Sequence, residues 1–124
     1  MRRTDGSGDF YREWKDYKKG FGLEKFHALT YFATQELMVV LEDYDGNVRY
    51  QHYESFMIGP ESNNFTLESI GSNDGDAGNS LGAHVGMQFS TKDRKNDIDK
   101  NKSCAVSYKG AWWYYFCHER LLFL

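Results

Sequence analysis

Large apolar residues fall at Phe10, Trp14, Tyr17 and Phe21, spaced four, three and four apart. That spacing marks one face of an amphipathic helix, with Arg12, Glu13, Lys15, Asp16 and Lys18 outside it. Ser7 or Asp9 is placed to cap its start, and Gly20 with Gly22 to end it. Residues 26–32 form a second, shorter helical candidate. From Glu36 to Leu41 the chain is apolar and β-branched, then Asp45-Gly46-Asn47 leads into Val48, Tyr50 and His52, which alternate with polar residues. An Asp-Gly pair between two strand-like runs predicts a hairpin, because glycine takes positive φ at no steric cost. Phe56 to Ile58 continues the second strand, and Gly59-Pro60-Glu61-Ser62-Asn63 is a loop. Residues 65–70 predict a further strand, and residues 71–80, rich in Gly, Asn and Asp, predict irregular chain. Phe89 stands isolated among polar residues, and residues 93–102 form a charged loop. Residues 105–108 and 112–116 predict a closing aromatic strand region. The fold class expected is α+β, with antiparallel pairing, short helices and long loops.

The 124 residues suit one domain, and nine Tyr, nine Phe and three Trp suit a core built on large rings. The net charge is −3 and the basic residues are spread along the chain, so nothing predicts a phosphate-tracking stripe or a nucleic-acid partner. No apolar run reaches the length of a membrane span. The first residues, Met1-Arg2-Arg3-Thr4-Asp5-Gly6, carry no apolar core of a signal peptide. Cys104 and Cys117 lie thirteen apart with no nearby Cys/His cluster of zinc spacing. A disulfide and two buried thiols are both open on that spacing. Asn64-Phe65-Thr66 and Asn101-Lys102-Ser103 are glycosylation sequons, which lean toward the secretory route.

No catalytic spacing stands out. His27, His52, His84 and His118 are far apart, and neither a phosphate-binding glycine loop nor a nucleophile elbow is present, so an enzyme is not expected. Asp97-Ile98-Asp99-Lys100-Asn101 places oxygen ligands at alternate positions, as a hard cation requires. Arg94, Lys95, Lys100 and Lys102 surround it with positive charge, so a solvated charged loop is the competing reading. A second acidic stretch, residues 74–79, reads as a turn-rich connection. Tyr108, Trp112, Trp113, Cys117 and His118 could wall a small pocket for an acetyl methyl or a sugar face. The two tryptophans read better as core.

Several of these motifs coincide. Asp5-Gly6-Ser7, Asp9-Phe10, Trp14, Tyr17, Gly20-Phe21-Gly22 and His27-Ala28-Leu29-Thr30 resemble the opening of a fibrinogen C-terminal domain. Asp45-Gly46-Asn47, Gly75-Asp76-Ala77-Gly78-Asn79-Ser80-Leu81 and Phe89-Ser90-Thr91-Lys92-Asp93 match further along. Cys104-Ala105-Val106, Gly110-Ala111-Trp112-Trp113-Tyr114 and Cys117-His118 carry the most specific part. The resemblance spans nearly the whole chain in order, so residues 1–124 are expected to form one partial domain of this family.

The resemblance implies an extracellular recognition module with a Cys104–Cys117 disulfide. In relatives that bind acetyl groups, the positions matching Tyr108 and His118 face the ligand. It implies a calcium site in the charged loop, for which Asp97 and Asp99 are the candidate ligands here, and a cis peptide at Phe116–Cys117. The calcium loop departs from the family. Aligned forward from Phe89-Ser90-Thr91, the ligand aspartates fall on Lys95 and Asp97; counted back from Cys104, they fall on Asn96 and Ile98. Either way at least one carboxylate is lost, and Asp99 is the candidate replacement. Gly22 runs directly into Leu23-Glu24-Lys25 where the family has a further short segment. The family also continues beyond a point matching Arg120-Leu121-Leu122-Phe123-Leu124, and an upstream stalk drives its oligomers. The leading expectation is lectin-like binding of acetylated glycans in innate recognition. The alternatives are a signalling or adhesion ligand that binds a receptor protein, and a degenerate fragment with no activity of its own.

Overall fold

The computed structural model describes residues 9–117. The chain opens on a short helical stretch that widens into a π-helical turn over Asp16–Gly20, followed by helix α1, Leu23–Phe32. Strand β1, Gln35–Glu42, and strand β2, Val48–Ile58, come next. Single 3-10 turns at Glu61–Asn63 and Gly82–His84 flank strand β3, Leu67–Ser69, and strand β4, Asn73–Gly75. Helix α2, Cys104–Tyr108, closes the order. All strand pairings are antiparallel: β1, β3 and β4 each pair with β2, the longest strand.

The β1–β2 hairpin forms where the sequence predicts it. Met38 faces His52 and Val40 faces Tyr50 across it. Gly46 has φ +84° at the tip, as a left-handed turn position requires. Asp43 organises the turn: its carboxylate accepts from the backbone of Asp45 and of Asn47 at 2.9 Å and from the Asn47 amide at 2.8 Å. These bonds, the Asn47 side chain's first, hold the Asp43 carboxyl below its ordinary range.

Several expectations need correction. The aromatic face from Phe10 to Phe21 is helical only from Trp14, because the Trp14 backbone N–H donates to the Asp93 carboxylate at 2.9 Å instead of continuing a helix back toward Phe10. Asp9 caps nothing longer than a turn, accepting from the Tyr11 N–H at 2.9 Å, and Ser7 lies outside the described residues. The predicted irregular segment contains β4. Gly75 makes this pairing possible: at φ +133° a Cβ there would lie 2.3 Å from the Tyr50 carbonyl, so only glycine lets the backbones approach. Residues 105–108 are helical rather than extended, and Trp112 makes only a single bridge, to Ser90. The ends of that segment are joined with Cα atoms 4.9 Å apart, so the chain must reverse, and it does so through α2 and a left-handed Lys109 at φ +52°.

Helix α1, begun by Leu23 rather than Phe26, docks through the matched His27-to-Thr30 motif. His27 Nδ1 donates to the Ile58 carbonyl at 2.9 Å, and the Thr30 hydroxyl oxygen accepts the Ile58 N–H at 3.2 Å. Two side chains one helical turn apart thus satisfy both backbone groups at the end of β2.

The core lies between β2 and the following loops. Trp14, Tyr17, Leu23, Tyr53, Phe65 and Trp113 are among its buried members. Phe89, isolated in sequence, is buried in its middle, with ring centroids 5.0 Å from Trp113 and 5.2 Å from Tyr17. Burial pushes the Tyr17 phenol up to about 12, and its hydroxyl donates to the Phe10 carbonyl. A smaller cluster of Cys104, Ala105, Tyr114 and Cys117 packs beside this core, with Trp112 against both.

Candidate functional site

The site region is the loop from Asp93 to Ser103 together with α2 and the segment that returns to Cys117. Its ends are anchored. Asp93 accepts from the Trp14 backbone and from the Thr91 hydroxyl at 2.6 Å, while the Arg94 guanidinium lies 4.0 Å over the Trp14 ring. Asn96 bonds the Ser90 hydroxyl through its N–H at 3.0 Å and the Phe89 carbonyl through its amide at 2.7 Å. At the far end a Cys104–Cys117 disulfide closes the segment. The pairing that the family resemblance implies is thus the one formed.

Asp97 sits at the centre. Its carboxylate is fully enclosed, at 0 % exposure. One oxygen accepts the Cys104 N–H at 3.0 Å, which ties the loop to the first residue of α2. The other accepts the Asp99 N–H at 3.1 Å and the Lys95 ammonium at 2.6 Å. The same ammonium donates to the Asp97 carbonyl at 3.2 Å and to the Asp99 carbonyl. Asp97 and Asp99, the expected calcium ligands, therefore converge on Lys95. The Asp99 carboxylate turns away, accepting the Asn101 and Lys102 N–H groups at 2.9 and 3.3 Å, and the first of these bonds is the main cause of its lowered pKa. Cys104 and Cys117 bring sulfur within 4.8 Å of the Asp97 carboxylate, but a disulfide offers no thiolate to a metal. The donor set present does not fit a divalent cation, since an ammonium already takes the oxygens that would hold it.

Next to this centre is an open recess of about 610 Å³, lined by Ile98, Asp99, Lys100, Asn101 and Phe116. Ile98 and Phe116 are 41 % and 47 % exposed and form its apolar part. Tyr108, expected to touch ligand, is half-exposed at the end of α2 and stacks on Tyr114, with centroids 6.4 Å apart; it is not among the recess-lining residues. Tyr114 is buried, which pushes its phenol up, and its hydroxyl donates to the Gly110 carbonyl at 3.0 Å. Trp113 is core, as expected, with its indole N–H on the Phe65 carbonyl at 2.7 Å. His118 lies outside the described residues. The peptide bonds of the described residues, Phe116–Cys117 among them, are all trans, contrary to the cis bond that the resemblance implies there.

Of the two sequons, Asn101 is exposed and borders the recess, whereas the Asn64 amide is half-buried and donates to Gln88 at 3.1 Å. The second acidic stretch spends its carboxylates on β2. Asp74 meets His52 at 2.8 Å, and Asp76 accepts the Tyr50 N–H at 2.9 Å. The spacing singled out Asp97 and Asp99 as ligands and counted Lys95 only as one of four surrounding positive charges and as a lost ligand position. The available signal was its position, a lysine standing where the family places a ligand aspartate, two residues before Asp97.

The family of fibrinogen beta and gamma chains, C-terminal globular domain, matches residues 1–123. Ryncolin-4 of Cerberus rynchops is 47% identical over 129 aligned residues, covering 96% of this chain and 37% of that protein. Fibrinogen C domain-containing protein 1 of Mus musculus is 45% identical, covering 95% of this chain and 28% of that protein. The chain thus spans roughly a third of the length of such relatives. Among solved structures, the fibrinogen-like globe domain of human ANGPTL6 superposes with a TM-score of 0.84 at 38% identity, over 91% of this chain and 54% of that one. A lamprey fibrin D-dimer complexed with the peptide Gly-His-Arg-Pro-amide gives a TM-score of 0.84 at 34% identity, over 94% and 44%. With its fold, its disulfide and its sequence all in agreement, the chain belongs to the fibrinogen C-terminal domain family.

Proposed function

We propose that this chain is an extracellular, non-enzymatic recognition module, and that the recess between the Asp99–Asn101 turn and Phe116 takes a small acetylated group of a glycan. The observation that carries this reading is the recess itself. It joins exposed apolar surface, which water wets poorly, to polar groups of the adjacent turn, the mixture a small ligand needs for burial and orientation. The disulfide and the Asp97 bonds behind it hold the turn in place before any ligand arrives, which lowers the ordering cost of binding. A disulfide of this kind persists in an oxidising compartment, which supports the extracellular placement. Tyr108 and His118 are proposed as flanking ligand contacts, and N-glycans on Asn101 as a modification that would border the recess.

A second reading, recognition of a protein or peptide partner, is favoured by the lamprey relative that is solved with a bound peptide. One experiment separates the two. The chain is passed over acetylated resin and eluted with free N-acetylated sugar or with a short peptide. Retention that the sugar reverses, and that Phe116→Ala and His118→Ala each lower by about tenfold or more, supports glycan recognition. Retention unchanged in both variants sinks the assignment of this recess, and elution by peptide alone favours the second reading.

A further inference from the structure

We infer that the Lys95 ammonium is the built-in cation of the loop from Asp93 to Ser103, so that the loop keeps its shape without a metal. Three oxygens converge on Lys95 Nζ: one Asp97 carboxylate oxygen at 2.6 Å, the Asp97 carbonyl at 3.2 Å and the Asp99 carbonyl. An ammonium has three N–H donors, and each has a partner here. One carboxylate with two backbone carbonyls is also the kind of oxygen set that hard cations collect.

The charge balance points the same way. A carboxylate taken wholly out of water requires a compensating charge and bonds to its remaining lone pairs. Asp97 is fully enclosed; Lys95 supplies the charge, and the N–H groups of Asp99 and Cys104 supply the bonds. A second cation at this point would sit against the ammonium, with no further buried carboxylate among the described residues of the loop to offset it. Lys95 itself is 39 % exposed in its side chain, so its stem reaches inward while part of it stays hydrated. The ammonium bridges residues 97 and 99, and Asp97 passes the restraint on to Cys104 and the disulfide.

The test uses the whole chain, oxidised. Terbium, a luminescent stand-in for calcium, is titrated into the wild-type protein, and thermal melting is followed in calcium and in EDTA. No saturable emission and coincident melting curves are expected. Lys95→Met should melt lower than wild type by the same amount in both media and be cut faster by protease within residues 93–103. Lys95→Asp exchanges the internal cation for a carboxylate and should melt higher in calcium than in EDTA. Saturable terbium emission displaced by calcium in the wild type would overturn the inference, as would calcium-dependent melting. A folded Lys95→Met chain with an equally resistant loop would overturn it too. If the Asp variant does not fold, the wild-type titration and the Met variant decide.

Discussion

His52 stands between two carboxylates on neighbouring strands, with Nδ1 2.8 Å from Asp74 on β4 and Nε2 3.0 Å from Glu36 on β1. Both partners favour the imidazolium, Asp74 more than Glu36, so the pKa lies above the ordinary 6.5. A raised folded-state pKa means that the clip contributes in full below the unfolded value of about 6.5 and is lost as pH rises through the folded value. Denaturation of wild type and His52→Gln should therefore differ most below the ordinary histidine range and converge as pH is raised through and above it. A difference that stays constant across that range would show that the ring acts by packing alone. Lys18, partly buried, plays a comparable part, joining Glu61 at 2.6 Å to Glu24 at 3.3 Å, while Glu61 also accepts the Trp14 indole N–H at 2.9 Å.

The elements that could be read from the sequence are those whose side chains follow a period. β1 and β2 alternate, Asp45-Gly46 marks their turn, and α1 has its docking pair one turn apart. Those that could not be read depend on distant partners. β4 exists because Gly75 lets two backbones touch, and α2 exists because the disulfide and Asp97 bend a segment whose aromatic content suggests a strand. The first helical stretch is short because Asp93, far along the chain, takes its starting N–H. The candidate site divides in the same way. The cysteine pair and the acidic loop were visible as residue types, but the role of Lys95 is a matter of where one long side chain lands. Gly75→Ala tests the β4 account. Strain at positive φ and the clash with Tyr50 should cost about 1–3 kcal/mol and unpair β4, read as a lower denaturation midpoint and faster amide exchange at Asn73 to Gly75. An unchanged midpoint would mean that β4 contributes little.

For the whole molecule, two clusters meet at Trp112, and their stabilities should be separable. Trp113 belongs to the main one, against Phe56, Phe89 and Trp112, and Trp113→Ala should cost about 3–5 kcal/mol through the cavity it leaves and the orphaned Phe65 carbonyl. The paired change of Cys104 and Cys117 to Ser acts on the minor cluster, and loss of the closed loop should cost about 3 kcal/mol in denaturant. Protease sensitivity confined to residues 93–117 would place that loss in the minor cluster, whereas collapse of the whole transition would show that the two melt as one unit.

The lysine in the acidic loop changes what the domain is vulnerable to. A bound ion leaves and returns with its concentration in the medium, whereas a tethered one has a local concentration set by the backbone. Chelating fluids, in which an ion-dependent loop would loosen, should leave this one intact. Its weak point is an amine. With part of the Lys95 side chain open to solvent, acylation would erase the charge and the donors together, leaving the Asp97 carboxylate enclosed without its partner. The loop is then undone by a covalent mark on one nitrogen, and dialysis cannot restore it.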